Sequence, residues 1–285
     1  MEVTAARVNE LRQKTGAGMM DCKKALIEAN GDFEKAIELL RKKGAAVASK
    51  RAEKSANEGL VLTKISDDKK SGVMIEVNCE TDFVARSEDF VSFANFILES
   101  ANSKKSKSLD ELLKSNSTIS EKMSEIMGKV GEKIQVPRIA SEDTSDGVIV
   151  DYIHPGSKLG VLVVFDTLDN SQDDFMKIAK DVAMQVAAMK PLCINREEVP
   201  KDLIEKEIDI YKELARKEGK PENILEKIAL GKLNKFYQEN CLSEQAYIKD
   251  NAKTVSDLIT EFNTEHKTGV KLSRFKRFHL SDEKK

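Results

Sequence analysis

Along residues 4–44, apolar side chains return every three or four positions, and polar punctuation divides them into three short helices. Thr4 reads as an N-cap, with Val3 and Val8 spaced for a hydrophobic staple. Val8 and Leu11 face inward, and Thr15-Gly16-Ala17-Gly18 breaks the helix. The second helix carries Met20, Ala25, Leu26 and Ala29 and stops at Asn30-Gly31. Asp32 caps the third, whose stripe is Phe33, Ala36, Ile37 and Leu40, with Gly44 as its expected C′ residue. Residues 45–57, rich in Ala, Lys and Ser, read as a helical or flexible linker.

Beyond residue 58 the period switches to two. Gly59–Ile65 and Gly72–Asn78 form a hairpin pattern around Ser66–Ser71, and Gly147–Ile153 and Gly160–Asp166 form another around His154–Lys158. The paired glycines stand thirteen positions apart in both, the mark of an internal repeat. An amphipathic helix follows each hairpin: Phe90, Ala94, Ile97 and Ala101 line the first, and Phe175, Ile178, Val182, Val186 and Met189 the second. Ser87 and Ser171 are the expected caps. Lys133–Ile139 supplies a third strand for one sheet, its Pro137 suiting an edge. Between the copies, 103–131 is polar, with a helix around Ile119, Met123, Ile126 and Val130.

After the second copy, residues 200–218 and 221–240 are charge-dense helices joined by Gly219-Lys220-Pro221. Leu203, Ile204, Ile210 and Leu214 make one narrow seam and Ile224, Leu225, Ile228 and Phe236 the other, so the two should form a projecting antiparallel hairpin. A helix near Ser256–His266 and an apolar/basic strand over 270–280 close the chain. The fold class is α+β: a three-helix domain with linker (1–54), core subdomain N (55–140), core subdomain C (141–192 with 252–285) and a helical hairpin insert (193–251).

Composition narrows the chemistry. With 47 basic and 49 acidic residues, no Trp and 5% aromatics, the chain lacks the basic excess that holds nucleic acid by counterion release. No apolar run approaches the roughly 20 residues of a membrane span, and the N-terminus lacks a signal-peptide core, so a cytoplasmic protein is expected. Cys22, Cys79, Cys193 and Cys241 are scattered, without the paired spacings of a zinc site, and read as buried reduced thiols. No P-loop and no HExxH occur, and His154, His266 and His279 lie near no nucleophile, so no cofactor and no catalytic constellation is expected.

Two features ask for a partner. Met19 and Met20 cannot both face inward on one short helix, which leaves an adaptable apolar contact at the surface. Thr81-Asp82-Phe83-Val84 sets an acid beside a large ring in a turn, where small solvated residues are usual. By default these are a helix N-terminal acid and a core phenylalanine. The matching corner of the second copy, Asp166-Thr-Leu-Asp-Asn170, has no acid–aromatic pair, which suggests that the difference serves a partner. His154, beside Pro155-Gly156, reads either as a turn residue or as part of such a surface.

The runs LRQKTGAGMMDCKKALIEANGD (11–32) and EVNCETDFVARSEDF (76–90) resemble the two signatures of the bacterial elongation factor Ts family, guanine nucleotide exchange factors for elongation factor Tu. The duplicated core, the helical hairpin and the closing RFKRF strand are similar too, although the sequence stops soon after Leu280, short of the tail of some members. The resemblance implies a ubiquitin-associated-like N-terminal module docking on the partner GTPase through Arg12, Met19, Met20 and Lys23. It implies that Thr81, Asp82, Phe83 and Val84 enter the partner near its Mg²⁺, with Phe83 wedging a helix aside so that metal coordination is lost, and that His154 makes a second contact. The chain itself would be no enzyme, would bind no nucleotide, and would leave nucleic acid and membrane alone. Two other classes remain open: a polypeptide-binding scaffold that uses the helical module and hairpin, and a metal- or thiol-dependent enzyme built on Cys79 or His154.

Overall fold

The computed structural model describes residues 3–116, 118–167 and 173–282. Three helices open the chain, α1 (Ala5–Thr15), α2 (Met19–Glu28) and α3 (Phe33–Lys50). Thr4 caps α1 by accepting the Arg7 N–H, and Asp32 caps α3 by accepting those of Glu34 and Lys35. Val8, Leu11, Cys22, Leu26 and Ala36 form their small core. Met20 does not join it: the inward positions of α2 are Cys22, Ala25 and Leu26, and both methionines point outward.

Two hairpins with their helices make the centre. The first comprises β1 (Glu58–Ile65), β2 (Ser71–Cys79), the single turn α4 (Asp82–Ala85) and α5 (Glu88–Lys104), capped by Ser87. Then come α6 (Leu109–Ser115), α7 (Thr118–Val130) and β3 (Gln135–Asp143), which completes an antiparallel sheet of order β1-β2-β3. Pro137 lies on that edge strand, which begins two residues later than the pattern suggests and runs on to Asp143. The second unit has β4 (Val148–Ile153), β5 (Leu159–Asp166) and α8 (Asp173–Met189). The helical hairpin α9 (Lys201–Lys217) and α10 (Glu222–Asn240) follows, then a small ribbon of β6 (Ala246–Tyr247) and β7 (Asp250–Thr254) that the pattern did not announce. Finally α11 (Val255–His266) leads into β8 (Lys271–His279), which pairs with β5 in a sheet of order β4-β5-β8. The expected cap Ser171 lies outside the described residues. No helix among the described residues is long and apolar enough to cross a membrane.

The central strands β2 and β5 are buried on both faces, and their alternating side chains show why. Val73, Ile75 and Val77 pack with Phe90, Ile97 and α7; Val161, Val163 and Phe165 pack with Phe175, Val182 and Val186. The opposite faces, Val61, Met74, Ile149, Leu162 and Val164, meet each other, so the sheets stack between two helical layers. Close approach depends on glycine: a Cβ on Gly72 would fall 3.0 Å from Ile149, and one on Gly160 would fall 2.5 Å from Val61. The turn of each hairpin also bonds the other's first strand. Val61 N–H donates to Ser157 O (2.6 Å) and Ile149 N–H to Lys69 O (2.8 Å), with Lys69 and Ser157 both at positive φ. Thr63 donates to Asp151, 88 positions away, at the centre of this exchange. The Arg138 guanidinium adds a tie, bonding buried Glu76 (2.6 Å) and His279 O (2.9 Å) across the Phe278 ring.

Three expectations need correction. Gly44 is no C′ residue: α3 continues to Lys50, and Gly44 is buried where α3 crosses α7, its Cα against Gly128. The start of the expected linker is thus helix packed on the core. On α8, Met189 is exposed at the end rather than inward. The hairpin seam matches the expected one in part: Leu225 is buried and Leu203, Ile204, Ile228 and Phe236 are half-buried, but Ile210, Leu214 and Ile224 are exposed, and Ala215, Ala229 and Leu233 are buried in addition.

Candidate functional site

The exposed apolar groups at the helical end locate one surface. Met19 is 55% exposed, Met20 63% and Ile27 55%, while Arg12 and Lys23 are exposed beside them in the α1–α2 sequence. Met19, Lys23 and Ile27 are spaced i, i+4, i+8, one exposed stripe along α2 that borders the row of buried Cys22, Ala25 and Leu26. Ile27 was missed in the sequence although that spacing pointed to it.

The second surface is the corner after β2. Thr81, extended, caps α4 by accepting the Val84 N–H, and Asp82 and Phe83 open the turn. Phe83 is 83% exposed, although fully burying such a side chain is worth about 1.5–3 kcal/mol. Its neighbours turn the other way: Val84 packs half-buried against the core that β2 and α5 share, and Ala85 is buried. The Asp82 carboxylate accepts from Arg86 (2.9 Å), an exposed i, i+4 pair of about 0.3–0.5 kcal/mol that a competing partner could break.

The corner is rigidly based. Cys79 donates its thiol proton to Thr81 O (3.1 Å). Burial, then the nearby Glu132 charge, pushes that thiol up to about 12, so it stays a donor and not a nucleophilic thiolate at neutral pH. Glu132 accepts from the Glu80 and Thr81 amides and from the Thr81 hydroxyl. Burial opposes the charge on Glu80, but the Lys133 N–H and the Arg51 guanidinium outweigh it and hold the carboxyl below its ordinary 4.5. Nothing in the sequence signalled Glu132, Glu80 or Arg51, because their contacts span tens of residues.

His154 comes to the same end of the sheet. Glu58 and Gly59, opposite Cys79 and Asn78 in the ladder, lie at the start of β1, and Lys158 of the His154 turn pairs with Glu58 (2.6 Å). The imidazole is exposed, with Nδ1 2.9 Å from the Tyr152 hydroxyl. No nucleophile stands beside it in these contacts. Cys193 and Cys241, far apart in sequence, meet at the root of the hairpin with sulfurs 3.7 Å apart, both free and buried. Among the described residues, no group of three or more His, Cys, Asp or Glu is placed to hold a metal ion. The arrangement is a pair of protruding apolar features on a rigid base, suited to insertion into another macromolecule.

The sequence model of the family described as Elongation factor TS matches residues 80–282. The chain is 46% identical over 286 aligned residues to the Elongation factor Ts of Chlorobaculum parvum, covering 98% of this chain and 99% of that one. It is 44% identical to that of Chloroherpeton thalassium, with 99% of each covered, and 46% identical to that of Clostridium botulinum strain Eklund 17B, with 98% and 93% covered. With its fold and full-length similarity in agreement, the chain belongs to the elongation factor Ts family of translation elongation factors.

Proposed function

We propose that this chain is a guanine nucleotide exchange factor: it docks on the GDP-bound form of elongation factor Tu, inserts the Asp82–Phe83 corner beside the nucleotide site, and speeds GDP release so that GTP can bind. The observation that carries this reading is Phe83, an aromatic side chain 83% exposed on a braced single turn.

The energetics suit the task. A nucleotide held at nanomolar affinity is bound by about 12 kcal/mol. No bond need be made to release it; the factor need only bind a partner conformation that holds nucleotide poorly. Linkage makes the antagonism reciprocal, so nucleotide expels the factor as strongly as the factor expels nucleotide. The partner's Mg²⁺ carries much of the charge that holds the phosphates, so disturbing its ligands loosens the whole site. Burying Phe83 in the partner returns about 1.5–3 kcal/mol, enough to favour a displaced conformer by more than tenfold. Asp82 can trade Arg86 for donors around the metal at small cost. The stripe of Met19, Lys23 and Ile27, with Arg12 and Met20, supplies adaptable docking contacts, and His154 a further one at the same end as the corner. On this reading the chain makes and breaks no covalent bond, and binds neither nucleotide, nucleic acid nor membrane itself.

The scaffold alternative draws on one observation, the apolar Ile210, Leu214 and Ile224 exposed on the hairpin. The deciding experiment is stopped-flow release of fluorescent GDP from elongation factor Tu at several Mg²⁺ concentrations. Phe83→Ala combined with Asp82→Ala should slow release markedly while thermal unfolding stays within about 0.5 kcal/mol of the parent, as expected for exposed positions. Release at the parent's rate would defeat the exchange reading and favour the scaffold.

A further inference from the structure

The Phe83 ring has few contacts of its own, so its position is set by the backbone beneath it. Two carboxylates fix that backbone. Glu132 lies just past Gly131, whose positive φ of 73° turns the chain back from α7 toward the corner. Its Oε2 accepts from the amides of Glu80 (3.1 Å) and Thr81 (3.0 Å), and its Oε1 accepts the Thr81 hydroxyl proton (2.7 Å). Because that hydroxyl gives its proton to Glu132, its oxygen is left to accept from Val84 N–H and so to start α4. Glu80 answers in the opposite direction: its Oε1 accepts from the Lys133 amide (2.7 Å) and its Oε2 pairs with Arg51 (2.5 Å) at the end of α3. Lys133 in turn donates its ammonium to the carbonyls of Ala52 (2.5 Å) and Lys54 (3.0 Å). Residues 51–54, 80–81 and 132–133 thus form a closed ring of charge-assisted bonds, the strong kind, under the exposed phenylalanine.

We propose that Glu132 is the positioning residue of the exchange site: its carboxylate clamps Glu80 and Thr81 so that Phe83 enters the partner already ordered. This rests on the exchange reading above. A ring that must be ordered during insertion spends part of its binding on that ordering, whereas a braced one applies it to the displaced partner conformation. The clamp touches neither nucleotide nor metal. Its loss should therefore lower the maximal rate of release much more than it weakens docking through α2.

The experiment compares Glu132→Ala, Glu132→Gln and Phe83→Ala in the full chain, with fluorescent GDP release measured over a range of chain concentrations. Glu132→Ala should lower the saturating release rate about tenfold, or about 1.4 kcal/mol, and move the half-saturating concentration about threefold at most. In hydrogen exchange, the amides of residues 80–84 should lose protection while α5 and β2 keep theirs. Glu132→Gln, whose amide oxygen still accepts both N–H groups, should restore most of the rate. A parental release rate from Glu132→Ala, or a fall no larger than its unfolded fraction, would refute the clamp, provided that Phe83→Ala is slow. If Phe83→Ala is itself unimpaired, the exchange reading fails instead. Should Glu132→Ala be unfolded at the assay temperature, Thr81→Val decides: it removes the hydroxyl at nearly constant shape, should slow release severalfold, and at the parental rate would refute the clamp.

Discussion

Gly44→Ala sets two opposing effects against each other at the crossing of α3 and α7. Alanine in a helix interior is intrinsically better than glycine by about 1 kcal/mol. At Gly44, however, the new Cβ would lie 2.0 Å from the Ser124 carbonyl oxygen and 2.9 Å from its carbon. A tolerable C···O approach is about 3.3 Å, so the helices must part by roughly 1.3 Å. The obstacle is backbone and cannot swing aside, which places the cost in the upper part of the roughly 1–3 kcal/mol for overpacking. A net loss of about 1–2 kcal/mol, or a Tm lower by about 2–6 °C, should result. Gly128, on the other side of the crossing, is the control: its Cβ would meet Gly44 Cα at 3.2 Å, a squeeze of a few tenths of an ångström, so Gly128→Ala should melt within a degree or two of the parent or above it. Scanning calorimetry of both variants reads the order directly, and hydrogen exchange along α3 should rise only in the first. If Gly44→Ala melts at or above the parent, helix propensity has won and the close crossing does not limit stability.

Three further outcomes follow from particular contacts. Leu225→Ala and Leu233→Ala, at buried seam positions, should each destabilise the hairpin by about 2–5 kcal/mol, whereas Ile210→Ser should stay within about 0.5 kcal/mol, as read by hydrogen exchange across α9 and α10. Burial, the leading influence on both, raises the Cys79 and Cys241 thiols from 9.0 to about 12, so iodoacetamide at neutral pH should label them roughly a thousandfold more slowly than a free cysteine; rapid labelling of the native chain, followed by mass spectrometry, would contradict this. Because the Glu80 carboxyl is depressed below 4.5, its bonds to Lys133 and Arg51 contribute fully above about pH 4.5 and are lost as pH falls through the lower folded value. Hydrogen exchange of residues 80–84 should therefore be flat from pH 7 to 5, after correction for intrinsic rates, and rise in more acidic solution, with Glu80→Gln removing the step.

The two hairpins were legible in the sequence because their glycines answer to backbone geometry. A Cβ on Gly59 would strike Val77 O and one on Gly147 would strike Phe165 O, so the spacing is imposed by strand pairing and repeats with it. The exposed corner was legible because Phe83 breaks the rule that turns are small and polar. Gly44 was misread because a glycine after a helical stripe signals a C-terminus equally well as a close crossing; only the presence of α7 distinguishes them. The hairpin seam was legible only in part, Leu225 but not Ile210, Leu214 or Ile224, because both helices carry more apolar positions than one narrow contact can bury and the sequence holds no record of which ones face across. Glu132 was invisible for a different reason: its carboxylate bonds main-chain amides and one hydroxyl 51 and 52 positions away, and such partners carry no charge pattern to notice.

The exchange between the two hairpins places Thr63 and Asp151 at equivalent points, hydrogen-bonded to each other. A homodimer assembled from either half alone would set like against like there, two hydroxyls or two carboxylates, the latter mutually repelling in a half-enclosed space. Joining both halves in one polypeptide lifts that restriction, since each copy can carry a different residue at the centre. The same freedom lets one copy present Asp82 and Phe83 after its second strand while its twin has no such pair in that stretch: duplication provides the frame, and covalent linkage allows its halves to diverge.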